Sequence, residues 1–196
     1  MAAVLSSVRA FFAESAFAID RENPGDVVAR ETLLDRAMGP GRRRKSSEAI
    51  RRGRVPAEGL SLVARVRDGH VIGTVRLWNI EAGVSREGNP VEALLLGPLA
   101  VDPAHEGKGI GGALMRAAVL EAKKRGHGAI LLVGDAAYYE RFGFFAEKAR
   151  HLVMPGPFER ERFLGLELRD GWLEGAAGLI VPSGRKLFRA ADMRAA

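Results

Sequence analysis

The feature that most narrows the folds open to this chain is an apolar run that leads through a glycine turn into a helical pattern and a second apolar run. Residues 93–101 read ALLLGPLAV, Asp102 and Pro103 interrupt them, and Glu106, Gly107, Lys108, Gly109, Ile110, Gly111 and Gly112 follow. Ile110, Leu114, Ala117, Ala118 and Ala122 then recur at the 3.6-residue period of a helix, which Lys123, Lys124, Arg125 and Gly126 end with a basic turn and a stop. Residues 129–133 are the second apolar run. Strand, helix and strand in this order require a parallel pair joined by a right-handed crossover. A glycine turn that opens a helix also gathers free N–H groups and the positive end of the helix dipole at one point, where a pyrophosphate-bearing cofactor can sit.

The flanking sequence supplies antiparallel strands. Residues 16–19 read as a short strand. Asn23, Pro24, Gly25 and Asp26 open a helix that turns Val27, Val28, Leu33, Leu34 and Ala37 inward until Gly39, Pro40 and Gly41 stop it. A second short helix covers 46–52. The β-type runs 60–66 and 71–78 flank Arg67, Asp68, Gly69 and His70, with the Asp-Gly pair of a hairpin turn, and a polar loop spans 81–90. Beyond Gly143, residues 144–146, 152–154 and 163–168 have strand character, and Pro155, Gly156 and Pro157 force a turn. The pattern predicts an α/β fold with a mixed, mostly antiparallel central sheet flanked by helices and one parallel strand-helix-strand unit. The 196 residues show no repeat or linker, so one domain is expected over 16–184. An extension over 1–15 precedes it, with Val4, Leu5, Val8, Phe11 and Phe12 on one helical face, and a basic tail over 185–196 follows.

Composition removes several classes of chemistry. With no cysteine there is no disulfide, thiolate metal site or cysteine nucleophile, which fits a reducing, cytoplasmic setting. His70, His105, His127 and His151 lack metal-ligand spacing, so no metal is expected. No apolar run approaches the roughly 20 residues of a membrane span. The net charge of +6 is concentrated in Arg42, Arg43, Arg44, Lys45, Arg51, Arg52 and Arg54. That cluster reads as a solvated loop and helix face, or as a surface for RNA, an acidic substrate or a cofactor's phosphates.

Three readings of the glycine turn compete. Gly107, Gly109 and Gly112 match GxGxxG, and Asp135 ends the next apolar run, as in a Rossmann unit. Residues 102–106 intervene between strand and first glycine, however, and hairpin-like strands stand where further βα units would be needed. A Walker A loop fails because Gly109 follows Lys108 where Ser or Thr is required. A merely structural turn does not call for four glycines in six positions.

The third reading rests on three motifs in order: Leu99, Ala100, Val101, Asp102 and Pro103; the turn over 106–112 with Ala113 and Leu114; and Tyr138, Tyr139, Phe142, Gly143 and Phe144. Together they resemble the GNAT superfamily of acyl-CoA-dependent N-acyltransferases, over residues 17–145 in element order. The superfamily's phosphate turn, [Q/R]xxGx[G/A], lands on Glu106, Gly109 and Gly111, with an acid at 106 where Gln or Arg is usual. The resemblance implies acetyl-CoA (coenzyme A) as co-substrate, with its pyrophosphate on the amides of Gly107, Lys108, Gly109, Ile110, Gly111 and Gly112. It further implies a pantetheine arm along the backbone of Leu99, Ala100 and Val101, beside a strand bulge at Gly97 and Pro98.

Acyl transfer needs a neutral amine, and a lysine-like amine at pH 7 pays about 4.6 kcal/mol to lose its proton. Glu92 is the first candidate base and Asp135 the second. Tyr139 matches the superfamily tyrosine that returns a proton to the leaving thiolate. The resemblance therefore implies an N-acetyltransferase acting by direct attack in a ternary complex on a primary amine, either a small molecule or a peptide. Two other readings stay open: a non-catalytic acyl-CoA-binding regulatory module, and an RNA-associated protein that uses the cluster over 42–54. Dimers are frequent among similar proteins, so a homodimer is compatible with the resemblance.

Overall fold

The structure, a computed structural model, describes residues 16–187. The helix expected within 1–15 and most of the basic tail lie outside those residues. In chain order the elements are β1 (Ala18–Arg21), α1 (Val27–Met38), α2 (Ser46–Arg51), β2 (Ser61–Arg65), β3 (Val71–Val84), β4 (Pro90–Val101), α3 (Ile110–Lys124), β5 (Ala129–Val133), α4 (Ala136–Tyr139), β6 (Leu152–Val153), β7 (Phe163–Glu167) and β8 (Ala177–Pro182). The sheet runs β1-β2-β3-β4-β5-β7, and β8 pairs with the far half of β3 and with β6. All pairings are antiparallel except β4 with β5 and β6 with β8. The mixed, mostly antiparallel sheet with one parallel strand-helix-strand unit is thus present. Among the described residues no helix is long and apolar enough to cross a membrane.

One face of the sheet takes α3, whose Ile110, Leu114, Met115, Ala118 and Ala122 pack with Leu77, Leu94, Leu96, Ile130 and Leu132. The other takes α1, whose Leu33 and Leu34 meet Ala100 and Val71. The entry to α1 is a capping box: Asn23 accepts from Gly25 N–H and Asp26 accepts from Asn23 N–H. Asp26 also pairs with Arg65 of β2, fixing the entry to the sheet. Val27 and Val28, expected inside, are 43% and 77% exposed. The buried stripe of α1 is set by its contact with Val71 and Ala100, and the first turn lies past that contact.

Two further expectations need correction. The loop expected over 81–90 is largely strand, because β8, which local pattern did not reveal, pairs Ile80 with Pro182 and Ala82 with Ile180. Only 85–89 remain as a turn, closed by the Ser85 N–H donating to the Asn89 carbonyl at 2.8 Å. The strand expected over 144–146 reduces to a bridge between Phe145 and Gly165, followed by the 3-10 turn Ala146–Ala149.

Between β3 and β4, Val75 pairs with Leu99 but Leu77 with Leu96, so β4 carries one extra residue at Gly97 and Pro98. This is the expected bulge. β4 pairs with β5 only at Leu94 with Ile130 and Leu95 with Leu131, and past that point the parallel strands part.

Candidate active site

The turn before α3 gathers unpaired backbone amides at the start of a helix, an arrangement that suits an anion. Gly107 and Gly109 take φ of 75° and 78°, a left-handed conformation that points successive N–H groups to one side. Among the described residues the amides of Gly107, Lys108, Gly109, Ile110, Gly111 and Gly112 donate to no other group, and the first helical bond is from Ala113 N–H to Gly109 O at 3.0 Å. The 15-residue α3 adds its dipole. Glu106 is exposed and leaves the cradle untouched, while Lys108 is exposed with its ammonium 3.4 Å from Ala104 O. A Cβ on Gly111 would stand 2.9 Å from the Tyr138 hydroxyl and 3.6 Å from Val101 Cγ2, so this glycine lets the turn close onto β4.

From Val101 the path continues along β4 to the parted strands. There a cleft of about 90 Å³ is lined by Leu96, Gly97, Pro98 and Leu99 of β4, Leu132 and Val133 of β5, and Tyr139 of α4. The Tyr139 ring fills the space a Cβ on Gly134 would need, with 2.1 Å between them. It stacks edge-on against Tyr138 at 4.9 Å and Phe144 at 6.2 Å. Burial foremost, helped by Tyr138, pushes its phenol up to about 12, so it is a proton donor throughout the neutral range. The structure therefore brings Tyr139 together with Leu99. Ala100 turns its side chain to α1 and faces the path with backbone alone.

The two carboxylates proposed as bases are elsewhere. Glu92 is exposed, five residues along β4 from Gly97, or about 17 Å of strand. It lines a separate cavity of about 570 Å³ with His127 and Trp172, whose indole donates to the Glu92 carbonyl at 2.7 Å. Asp135 is exposed ahead of α4 and does not line the cleft.

A second cavity, of about 490 Å³, opens from the cleft and shares Met38, Arg42, Arg51 and Pro98 with it. Seven arginines and two glutamates line it. Trp78 of β3 donates its indole N–H to Gly97 O at 2.6 Å and carries the Arg76 guanidinium 4.9 Å from its ring centroid. Arg51 Nη1 lies 3.5 Å from where a Gly97 Cβ would be. Arg42 pairs with Asp35 and Glu31, each at 2.6 Å, Arg51 with Glu48 at 3.0 Å, and Arg30 with Glu22 and Glu31. Burial lowers the Arg51 pKa despite Glu48, and burial followed by repulsion from Arg30 brings Arg76 down to about 10. The basic cluster is thus only partly the solvated face the sequence implied, since Arg42 and Arg51 turn inward. Arg76 and Trp78 escaped sequence reasoning. Their two-residue spacing puts them on one strand face, but no local signal tells which face meets the site.

The sheet, antiparallel on both flanks of the β4 and β5 pair, is not a Rossmann sheet. Residues 58–145 match the profile of the family described as acetyltransferase (GNAT) domain. The chain is 31% identical over 121 residues to the uncharacterized N-acetyltransferase YhbS of Escherichia coli K12, covering 62% of this chain and 70% of YhbS. Its fold is similar to the crystal structure of E. coli YhbS in complex with CoA, with a TM-score of 0.70, 27% identity and coverage of 88% and 93%. It is also similar to a Brucella melitensis GNAT acetyltransferase in complex with acetyl-CoA, with a TM-score of 0.59, 27% identity and coverage of 90% and 97%. The chain belongs to the GNAT acetyltransferase family, a family of acyl-CoA-dependent acyltransferases.

Proposed function

We propose that the protein transfers an acetyl group from acetyl-CoA to a primary amine, with both substrates bound at once. The observation that carries this reading is the unbroken path from six unpaired amides, along Val101 and Leu99, to the cleft that holds Tyr139. A diphosphate fits the cradle, because each charge-assisted hydrogen bond from an amide contributes about 1.5–3 kcal/mol. The β4 edge freed beyond Leu95 offers its backbone to the pantetheine arm. Acetyl-CoA supplies the acetyl thioester when bound.

The amine nitrogen attacks the thioester carbon from the arginine-lined cavity, the C–S bond breaks, Tyr139 donates its phenolic proton to the departing sulfur, and the proton that the nitrogen sheds as the amide forms passes through water to restore the phenol. The amine must lose a proton first. Neither Glu92 nor Asp135 is assigned that role, given their distance from the cleft. Burial works against Glu31, but the hydrogen bonds from Arg42 and Arg30 outweigh it and hold the carboxyl below its ordinary value, which makes it a weak base. The excess of arginines instead disfavours the ammonium form of a bound amine. A peptide-like α-amine, with a pKa near ~8, loses its proton at pH 7 for about 1.4 kcal/mol, against about 4.6 for a lysine-like one. Weakly basic amines are therefore the favoured acceptors, with water accepting the proton.

Calorimetry of the full chain with CoA and acetyl-CoA, followed by thiol release with a panel of amines, tests the reading. Binding with turnover supports it, absence of binding refutes it, and binding without turnover on any amine favours the regulatory module. The RNA reading is disfavoured because Arg42 and Arg51 are engaged in ion pairs inside a cavity. A flat salt dependence of RNA binding would remove it.

A further inference from the structure

The arginine-lined cavity holds more positive charge than its own residues neutralise, and the excess sits beside the point of acyl transfer. Arg30 is paired with Glu22 and Glu31, Arg42 with Glu31 and Asp35, Arg51 through Nη2 with Glu48, and Arg54 donates to Gly184 O at 2.5 Å. Arg76 differs. Among the described residues no carboxylate or carbonyl accepts from it, and its contact is the face of Trp78. A guanidinium stacked on a ring keeps its in-plane N–H donors free. Nε of Arg76 and Nε of Arg51 are both buried without a hydrogen-bond partner, and the Arg51 side chain is only 9% exposed. Buried donors left unmade are rare in folded proteins, and a cationic one most of all. Two such guanidinia flank Gly97: Arg51 by direct approach, and Arg76 through Trp78, whose indole holds the Gly97 carbonyl.

We propose that the acceptor is an amine that also carries an anionic group, carboxylate or phosphate, and that Arg76 and Arg51 bind this group beside Gly97. The inference rests on the acetyl-transfer reading and names the substrate class for it. In that reading the coenzyme's own phosphates sit on the turn over 107–112, at the other end of the β4 path, which leaves the two guanidinia to the acceptor. The cavity volume of about 490 Å³ takes a small molecule or the end of a chain. Seven arginines against two glutamates repel polyamines and other polycationic acceptors. An anion held by both forks brings the nitrogen of the same molecule to the bulge and fixes its approach.

The test uses the full chain, saturating acetyl-CoA and matched acceptor pairs: phenylalanine against its amide, phosphoethanolamine against ethanolamine, and 1,4-diaminobutane as the cationic control. At least one anionic member is expected to exceed its neutral partner in kcat/KM by about 10- to 100-fold, mostly through KM, as charge-assisted hydrogen bonds predict. The pair that discriminates identifies the anion as carboxylate or phosphate. Arg76→Met should collapse that ratio, and Arg76→Lys should restore part of it. Calorimetry of the N-acetylated anionic product on CoA-saturated protein gives a readout without turnover, in which Arg76→Met should weaken binding about tenfold or more. If Arg76→Met does not fold, the wild-type ratios and the wild-type calorimetry of anionic against neutral product decide alone. Equal rates within every pair, or preference for the diamine, with acetyl-CoA bound and turned over, would overturn the inference and leave the acetyl-transfer reading standing. Absence of acetyl-CoA binding would overturn both.

Discussion

Replacing Tyr139 with Phe removes one oxygen from the cleft and leaves the ring contacts with Tyr138 and Phe144 in place. Among the described residues the hydroxyl has no hydrogen-bond partner, so the folded state should lose less than about 1 kcal/mol. The catalytic effect should be far larger. With its pKa pushed up to about 12, the phenol is protonated at every pH at which the enzyme is assayed. Against a thiol at its reference of ~8.5, proton transfer to sulfur is uphill by about 3.5 units, or about 4.8 kcal/mol. Burial that raises the phenol also raises a thiol in the same cleft, since both are neutral acids with anionic bases, so the gap narrows toward the reference difference of about 2 kcal/mol. That is within reach of a general acid, whose removal typically lowers rate by about 10²- to 10⁴-fold. The expected outcome for Tyr139→Phe is a kcat about 10²-fold lower with acetyl-CoA affinity unchanged in calorimetry. The wild type should show no loss of activity from ionisation of this phenol below about pH 10. Turnover within about threefold of wild type would refute the general-acid role. An alkaline limb below pH ~10 that disappears in the variant would refute the burial argument.

Gly109 has a φ of 78° and no atom within 4 Å of its absent Cβ, so Gly109→Ala meets a conformational penalty of about 1–2 kcal/mol and no clash. Calorimetry should show CoA affinity about tenfold weaker, and unchanged affinity would speak against the amide cradle. Trp78→Phe keeps a ring beneath Arg76 but leaves the Gly97 carbonyl without its indole donor, for a loss of about 1–3 kcal/mol in urea unfolding and a lower kcat at undiminished acetyl-CoA affinity. The Arg65 hydrogen bond, the largest influence on Asp26, lowers its pKa in the folded state, so this carboxylate's contribution to stability is complete above the unfolded value of about 3.9 and fades as pH falls through the lower folded one. Asp26→Asn should cost about 1–2 kcal/mol at pH 7 and progressively less below pH 4, and a deficit that persists at pH 2 would contradict the pairing.

Most of what depends on contiguous residues was legible in the sequence. β5 was expected over 129–133 and forms there, and α3 starts at Ile110 behind its glycines, because period and stop signals act locally. The glycine turn with its free amides and the place of Tyr139 beside β4 were legible for the same reason, each being part of one short motif, while their roles belong to the proposal. β8 was not, since its partner is the far half of β3, about a hundred residues away, and a short apolar run carries no mark of a distant pairing. Glu92 draws attention in the sequence only by its place at the start of the β4 run. Which end of a strand meets a cleft is decided by where the neighbour parts from it, here after Leu95. The second cavity was hidden most thoroughly. Arg51 comes from α2, Arg76 from β3 and Arg30 from α1, and a run of arginines over 42–54 gives no sign of which members will turn inward.

The same excess of arginines bears on both halves of the reaction. A positive field beside the bulge disfavours an ammonium there, which argues for a nitrogen that has already released its proton. That field also favours the negative charge that develops on the carbonyl oxygen and on sulfur, where a cation in a poorly solvated wall acts more strongly than in water. An acceptor that brings its own anion cancels part of the field near Arg76 and Arg51 while leaving the rest directed at the cleft. It is thereby held at the one backbone residue, Gly97, to which Trp78 is hydrogen-bonded and which Arg51 approaches. A neutral amine entering the same cavity would leave Arg76 without a counter-charge and the buried Nε donors of Arg76 and Arg51 without an acceptor, and would find nothing to orient it. Selectivity for charge and the orientation of the nucleophile are therefore one property of this wall, and a substitution there that alters the first must alter the second.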